Sequence, residues 1–487
     1  MSTERVDVLV IGSGAGGAVT ALELASAGRG VCVLEEGARH ELAQYGAGSV
    51  EAMQRLYRRR GMTPITGRVP IGYVEGACLG GSTEINSGFW HRTPREVLLR
   101  YKSQFDLQNA SPEELDPHFE WAEQRLHVSL RGSAWPKSTQ VFSRGIEAMG
   151  WSGQEVPRAA SGCEDTNTCA TGCPKGAKQG MSRAILPDAE RAGARILTGC
   201  RARMLLTSKR RVTGVLAEIE HGTGAREMIR IDADHVFVCA GPTETPALLR
   251  RSGIKYHVGE TLRIHPMLKV VARFPERIDA HESVLPLIQV KEFWPEVSLG
   301  GGFFTPGHLA MMLSDNWLAT RGEMANFRNM AAYYVAVRGT GDGHVRPSRV
   351  GDATTHLRYD LSEEDHINLS HGLARLATLL LAAGAEEVFP TVHGIPTIRT
   401  EIEAIRWLDE RLPRAGLSLT TVHAFSTCPI GERQDRCAAN SFGKVFRWDN
   451  LYVNDASMLP DSPGVNPQGT VMALARRNAL RFKDTAS

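Results

Sequence analysis

The chain has 487 residues, with 56 Lys and Arg against 54 Asp and Glu, a formal charge of +2. That length exceeds one ordinary hydrophobic core and suits two, and the near cancellation of charge excludes a global field for nucleic acid or an anionic membrane. No apolar run reaches the ~18 residues of a membrane span, no charged-then-apolar leader precedes the first strand, and the nine cysteines fit reduced thiols, so a cytoplasmic protein acting on small molecules is expected.

Residues 6–11 read as a buried strand running into Gly12-Ser13-Gly14-Ala15-Gly16-Gly17, followed by a helix over 18–27, a strand over 31–34 and Glu35. The unit suits a dinucleotide. Gly12 permits the tight turn, Gly14 lets the backbone approach a pyrophosphate, Gly17 lets helix pack on strand, and the helix amides hold phosphate while Glu35 stands where ribose hydroxyls would lie. Basic runs at 55–60 and 209–211 read as solvated faces. Ser111-Pro112-Glu113-Glu114 opens a helix to about Val128, with Ser111 as cap and Phe119, Ala122 and Leu126 on its buried face.

Cys163, Cys169 and Cys173-Pro174 form a C-x5-C-x3-C-P run. A short-spaced series closed by Cys-Pro is compatible with iron–sulfur ligation, and three thiolates suffice for a [3Fe-4S] cluster; packed thiols are the alternative. A strand over 234–239 enters the tight turn Ala240-Gly241-Pro242 and returns the chain to the nucleotide sheet. Residues 269–358 alternate Val, Phe and Tyr between Gly and Pro, which predicts an antiparallel sheet flooring a substrate domain. Within it Phe303, Phe304, Met311, Met312 and Trp317 are candidates for apolar lining. Ser362-Glu363-Glu364-Asp365 is a capping box opening a helix with Leu369, Leu373, Leu376 and Leu380 on one face and Gly384 as its stop. Residues 451–453 read as a last strand, followed by a polar turn and a helix from near Pro467. Nucleotide-domain sequence thus recurs through the chain, and the two domains are expected to interleave.

Five blocks in order resemble the glucose–methanol–choline (GMC) family of FAD-dependent oxidoreductases: the first glycine turn with Glu35; Leu79-Gly80-Gly81-Ser82-Thr83-Glu84-Ile85-Asn86; the run from Gly241 to Ile254; His423 in HAFSTCPIG; and the segment from Val453 to Ala479. The resemblance implies an α/β chain in which a Rossmann-like FAD-binding domain (1–105, 156–265 and 423–487) interleaves with an α+β substrate domain on an antiparallel sheet (106–155 and 266–422). It implies that Gly12, Gly14, Gly17 and Glu35 hold the ADP half of FAD. Gly80, Gly81, Ser82 and Asn86 would lie along the pyrophosphate and flavin, where a backbone touching a flat ring cannot carry side chains. Asp455 and Pro467 would border the pyrimidine edge. Ile85 replaces the histidine that links flavin in some members, so FAD is expected to be non-covalent. Some bacterial GMC sugar dehydrogenases carry an iron–sulfur cluster at the position of Cys163, Cys169 and Cys173.

The implied reaction is oxidation of a hydroxylated small molecule to an aldehyde or ketone, with dioxygen or a redox carrier as electron acceptor. Such a step needs a base poised near neutral pH at the hydroxyl, and histidine suits it. His423 matches the family's catalytic block, although the residues after it are Ala424-Phe425 rather than Pro-Met. Asn466 matches the second catalytic position, donating to the substrate oxygen as charge develops, and its place before Pro467 also predicts a helix cap. His265 is read as ordering a loop. A lyase or decarboxylase on the same fold, or a non-catalytic flavin-binding protein, are the competing readings.

Overall fold

Strand Thr3–Ile11 runs parallel between Val31–Leu34 and Arg226–Val238, and its Val8, Leu9, Val10 and Ile11 are all buried, as a central strand covered on both faces requires. In the computed structural model, which describes residues 3–46, 50–132, 135–220, 224–348 and 355–485, it is the centre of a seven-stranded sheet. Arg195–Leu197 extends this sheet beyond Val31–Leu34, while Cys200–Ser208 and Arg211–Glu220 add an antiparallel meander to Arg226–Val238. Leu451–Val453, near the far end of the chain, also pairs in parallel with Arg226–Val238. The sheet is assembled from early, middle and late sequence.

Helix Ala15–Ser26 leaves the first strand through Gly14 and lies very close to three backbones. A Cβ on Gly12 would overlap the carbonyl oxygen of Cys239, one on Gly16 that of Asn454, and one on Gly17 that of Gly12 itself. Gly14 differs, because a Cβ there would meet no protein atom within 4 Å.

An eleven-stranded sheet carries the second core. Its centre, Met267–Arg273, pairs antiparallel with Met330–Val337, Glu387–Pro390 and Leu419–Thr421. Met330–Val337 leads on to Val297–Gly301, Ile288–Val290 and Gly153–Glu155. Helix Glu363–Ala382 packs on this sheet, with Leu369, Leu373, Leu376 and Leu380 buried, the reciprocal Ser362–Asp365 cap at its start and Gly384 at φ +91° just beyond its end. The antiparallel floor read from the sequence is present, and the molecule is the mixed α/β architecture expected.

Two segments sit elsewhere than the sequence boundaries put them. Thr63–Thr66 and Ile71–Tyr73, within the stretch read as nucleotide-binding, are strands of the second sheet. Helix Pro112–Arg125, within the stretch read as substrate domain, buries Leu115, Phe119 and Ala122 in the first core; it stops at Arg125, and Val128–Ser129 is extended. An amphipathic face shows that a helix is covered and does not show by which core. Among the described residues no helix is long and apolar enough to cross a membrane.

The glycine geometry separates packing from ligand roles. Gly16→Ala is expected to lower stability by at least about 2 kcal/mol, because backbone must move to admit the methyl group, whereas Gly14→Ala stays within about 1 kcal/mol of the parent. Chemical unfolding of the two apoproteins measures the difference.

Candidate functional site

Residues from both sheets line one cavity of about 960 Å³, which runs from Gly12, Ser13 and Gly14 to His265, His423 and Asn466. Its glycine-rich part is organised by Glu35. The buried carboxylate accepts hydrogen bonds from the Ser13 amide (3.0 Å) and hydroxyl (2.6 Å) and from the Gly37 amide (2.9 Å), and burial pushes its pKa up. The Ser13 hydroxyl in turn accepts from the Gly80 amide at 2.9 Å. Glu35 therefore braces both glycine turns while still bordering the cavity. Gly81, Ser82 and Asn86 border it too, whereas Gly17 and Gly80 lie behind it: Gly17 packs on Gly12, and Gly80, at φ +91°, sits over the Glu84 side chain. Asn86 donates to Gln468 at 2.6 Å, which ties the second turn to the last helix.

Asp455 borders the cavity beside Pro467. Its carboxylate is taken up by the Gly241 amide, the Thr245 hydroxyl and the Ser457 amide at 2.8, 2.6 and 2.8 Å.

His423 and Asn466 meet, although they come from different cores. His423 follows strand Leu419–Thr421 of the second sheet, and Asn466 precedes helix Gln468–Thr485, packed in the first core. The Asn466 amide nitrogen lies 3.3 Å from His423 Nε2, and His423 Nδ1 lies 3.0 Å from His265 Nδ1, whose Nε2 lies 2.9 Å from the Ser462 hydroxyl. One proton arrangement satisfies the whole chain: Asn466 donates to Nε2, His423 Nδ1–H donates to His265 Nδ1, and His265 Nε2–H donates to Ser462. The Nε2 lone pair of His423, at the cavity wall, is thereby held by the Asn466 amide. The helix begins at Gln468, so the Asn466 side chain turns to His423 instead of capping it as the sequence predicted.

Burial and, secondarily, the Lys269 ammonium push the His423 imidazole down to about 4. Burial and Lys291 push His91 down to about 3, and burial and His423 hold His265 well below the usual histidine range.

Phe303, Met311 and Met312 border the cavity as expected, but Phe304 is in the second core and Trp317 is on the surface. The basic run at 55–60 is not wholly solvated either: Arg58 is buried at the cavity wall between Glu36 (2.5 Å) and Glu75 (2.7 Å). His265, Lys269, Gln289, Lys291 and Tyr334 also line the cavity. Of these the sequence offered a signal only for His265, between Ile264 and Pro266.

The three cysteines border a separate space of about 10 Å³, room for about one water. The Arg158 guanidinium packs against Cys163 and Cys169 at 3.5 and 3.4 Å, and the buried Lys178 ammonium donates to the Cys169 carbonyl at 2.6 Å. A [3Fe-4S] cluster does not fit this space, and the geometry favours packed thiols, correcting the iron–sulfur reading.

The buried histidines make an acid-side prediction. Each binds its proton more weakly in the folded chain than at the ordinary value of about 6.5, so the unfolded chain takes up more protons and stability is full above 6.5 and falls as pH drops toward 4. Thermal unfolding between pH 4 and 7 should show a smaller acid loss for His423→Asn than for the parent.

Residues 8–267 match the N-terminal and residues 340–475 the C-terminal family model of GMC oxidoreductase. An uncharacterized GMC-type oxidoreductase of Sinorhizobium fredii is 39% identical over 475 residues, 98% of this chain and 94% of the relative. A long-chain-alcohol oxidase of Arabidopsis thaliana is 28% identical over 97% of this chain and 67% of its own length. Among solved structures, pyridoxine 4-oxidase from Mesorbium loti superposes with a TM-score of 0.73 at 18% identity, covering 98% of this chain and 99% of its own, which speaks for the shared fold. The two models span most of the sequence and the glycine turns, the interleaved sheets and the cavity agree with them, so the chain belongs to the GMC oxidoreductase family of FAD-binding flavoenzymes.

Proposed function

We propose that the chain oxidises an alcohol to an aldehyde or ketone with non-covalent FAD, His423 acting as base and Asn466 as hydrogen-bond donor to the substrate oxygen. The observation that carries this reading is the run Ser462, His265, His423, Asn466, in which a neutral imidazole Nε2 and an amide N–H meet at the cavity wall, bonded to each other until a substrate hydroxyl comes between them. His423 Nε2 takes the hydroxyl proton while the carbon–oxygen double bond forms and the C–H bond breaks. Asn466 holds the oxygen as its negative charge grows, without competing for the proton. His265 acts through His423, fixing which ring nitrogen carries hydrogen.

The cavity fits FAD. Gly14 leaves open space where a pyrophosphate would approach, at the start of a helix, the kind of position whose unpaired amides suit a phosphate, and the cavity of about 960 Å³ reaches from there to His423. Gly12 and Gly14 would hold the pyrophosphate, Glu35 the ribose, Gly81, Ser82 and Asn86 the ring system, and Asp455 and Pro467 its pyrimidine edge, with Gly17 and Gly80 supporting from behind. FAD bound there would accept the hydride from the alcohol carbon, and dioxygen or a redox carrier would reoxidise it. Relatives named for long-chain alcohols and for 2-methyl-1,2-propanediol support a CH–OH donor.

With Ile85 offering no nucleophile, acid denaturation should release all flavin from the polypeptide. His423→Ala should retain FAD and slow anaerobic flavin reduction at least ~10²-fold, the usual contribution of a general base. Asn466→Ala should slow it ~10-fold to ~10³-fold with little change in melting temperature, because its side chain caps no helix. Parent-like flavin reduction in both variants would exclude the pair.

A further inference from the structure

The second sheet presents a polar face to the cavity. Across four strands Lys269 registers with Tyr334, Tyr334 with Gly300, and Gly300 with Gln289. Side chains two residues apart share a face, so Lys291 and Ser298 continue the surface from the next row. Lys269, Tyr334, Gln289, Lys291 and Ser298 all border the cavity. Gly300 keeps the row open. A Cβ there would stand 2.6 Å from the Tyr334 hydroxyl oxygen, which instead accepts from the Gln289 amide at 2.7 Å.

Two ammonium groups thus share one cavity with no anion against either. Among the described residues neither lysine forms an ion pair, and burial alone pushes both down to about 8, with no carboxylate opposing it. Their fields fall on other bases: Lys269 on His423 and His308, Lys291 on His91 and His265. The acids that border the same cavity are engaged elsewhere. Glu36 and Glu75 answer Arg58, Glu244 answers Arg201, and Asp315 accepts from the Ser418 hydroxyl at 2.6 Å. The Ser298 hydroxyl is buried with no partner. Buried cations are ordinarily answered by a counter-charge, and here the protein supplies none, only the Tyr334 ring 5.3 Å from the Lys269 ammonium.

We propose that Lys269 forms an anion subsite, with Lys291 farther along the same basic wall, so that the alcohol oxidised in this cavity carries a carboxylate. The proposal rests on the alcohol-oxidising reading of the same site and adds the substrate's class. The carboxylate would sit against the sheet at Lys269, while the carbinol carbon faces His423 and Asn466.

Binding and turnover test it separately in the holoenzyme. Titration with hexanoate and with hexanamide, read from the perturbed flavin absorbance, should give a Kd at least tenfold lower for hexanoate. Lys269→Met should raise the hexanoate Kd at least tenfold, Lys291→Met should raise it less, both should leave the hexanamide Kd within twofold, and Lys269→Arg should recover most of the loss. In anaerobic mixing, 6-hydroxyhexanoate should bleach the flavin at lower concentration than its methyl ester, with the advantage lost in Lys269→Met. Equal binding of hexanoate and hexanamide, or unchanged hexanoate affinity in Lys269→Met, overturns the subsite. Tight, lysine-dependent hexanoate binding without bleaching by either hydroxy compound supports the subsite and counts against the alcohol reading.

Discussion

One buried acid holds the nucleotide half of the cavity together. Glu35 is removed from water, which is costly for a carboxylate unless donors surround it, and three donors do: the Ser13 amide and hydroxyl and the Gly37 amide. The Ser13 hydroxyl passes the connection on to the Gly80 amide. Two turns 67 residues apart in sequence are thereby fixed against each other, and their glycines let the backbones come close enough for the connection to form. A Cβ on Gly81 would already stand 3.2 Å from the Gly14 Cα. The width of the cavity at this end depends on that contact.

The late segment of the chain completes the same construction. Asn454 presses its carbonyl onto Gly16, and its side chain donates to Thr20 of the first helix and to the Ala475 carbonyl of the last. Asp455 next to it draws in Gly241 and Thr245. Four segments thus converge on the start of the first helix, and the turn leading to Asn466 departs from that point. His423 reaches the site from the other sheet. The 3.3 Å approach of its Nε2 to Asn466 therefore reports how the two cores are placed relative to each other, and a packing change in either one is felt at this pair.

What the sequence disclosed follows from how local each signal is. The glycine turn and the Ser362 capping box are set by neighbours a few residues away, so their residues announce their geometry, whereas His423 and Asn466 were reached through the family resemblance and the local signal at Asn466 pointed to a helix cap that its side chain does not make. Lys269 and Lys291 announced nothing, because a lysine in an alternating strand looks the same whether its face meets water or an enclosed cavity. Arg58 was hidden for a similar reason inside a run of basic residues whose outer members are solvated. The iron–sulfur reading of Cys163, Cys169 and Cys173 failed on a matter spacing does not encode: the guanidinium of Arg158, adjacent to two of the sulfurs, and the small volume left between them.

The basic character of the far wall bears on His423, the base we propose. Burial is the larger reason that His423 is pushed down to about 4, and the Lys269 field is the smaller one; an imidazole so depressed is neutral near pH 7 and has a weak pull on a hydroxyl proton. The two causes respond differently to a ligand. Filling the cavity cannot undo burial, whereas an anion placed on Lys269 cancels the positive field and lets the imidazole recover part of its basicity. A substrate carrying its own carboxylate would then strengthen the base that acts on it, and a neutral alcohol of the same shape would meet the imidazole in its weaker form. Specificity would arise in this way from the basicity of His423 as well as from binding, through a charge that touches neither the carbinol carbon nor the flavin.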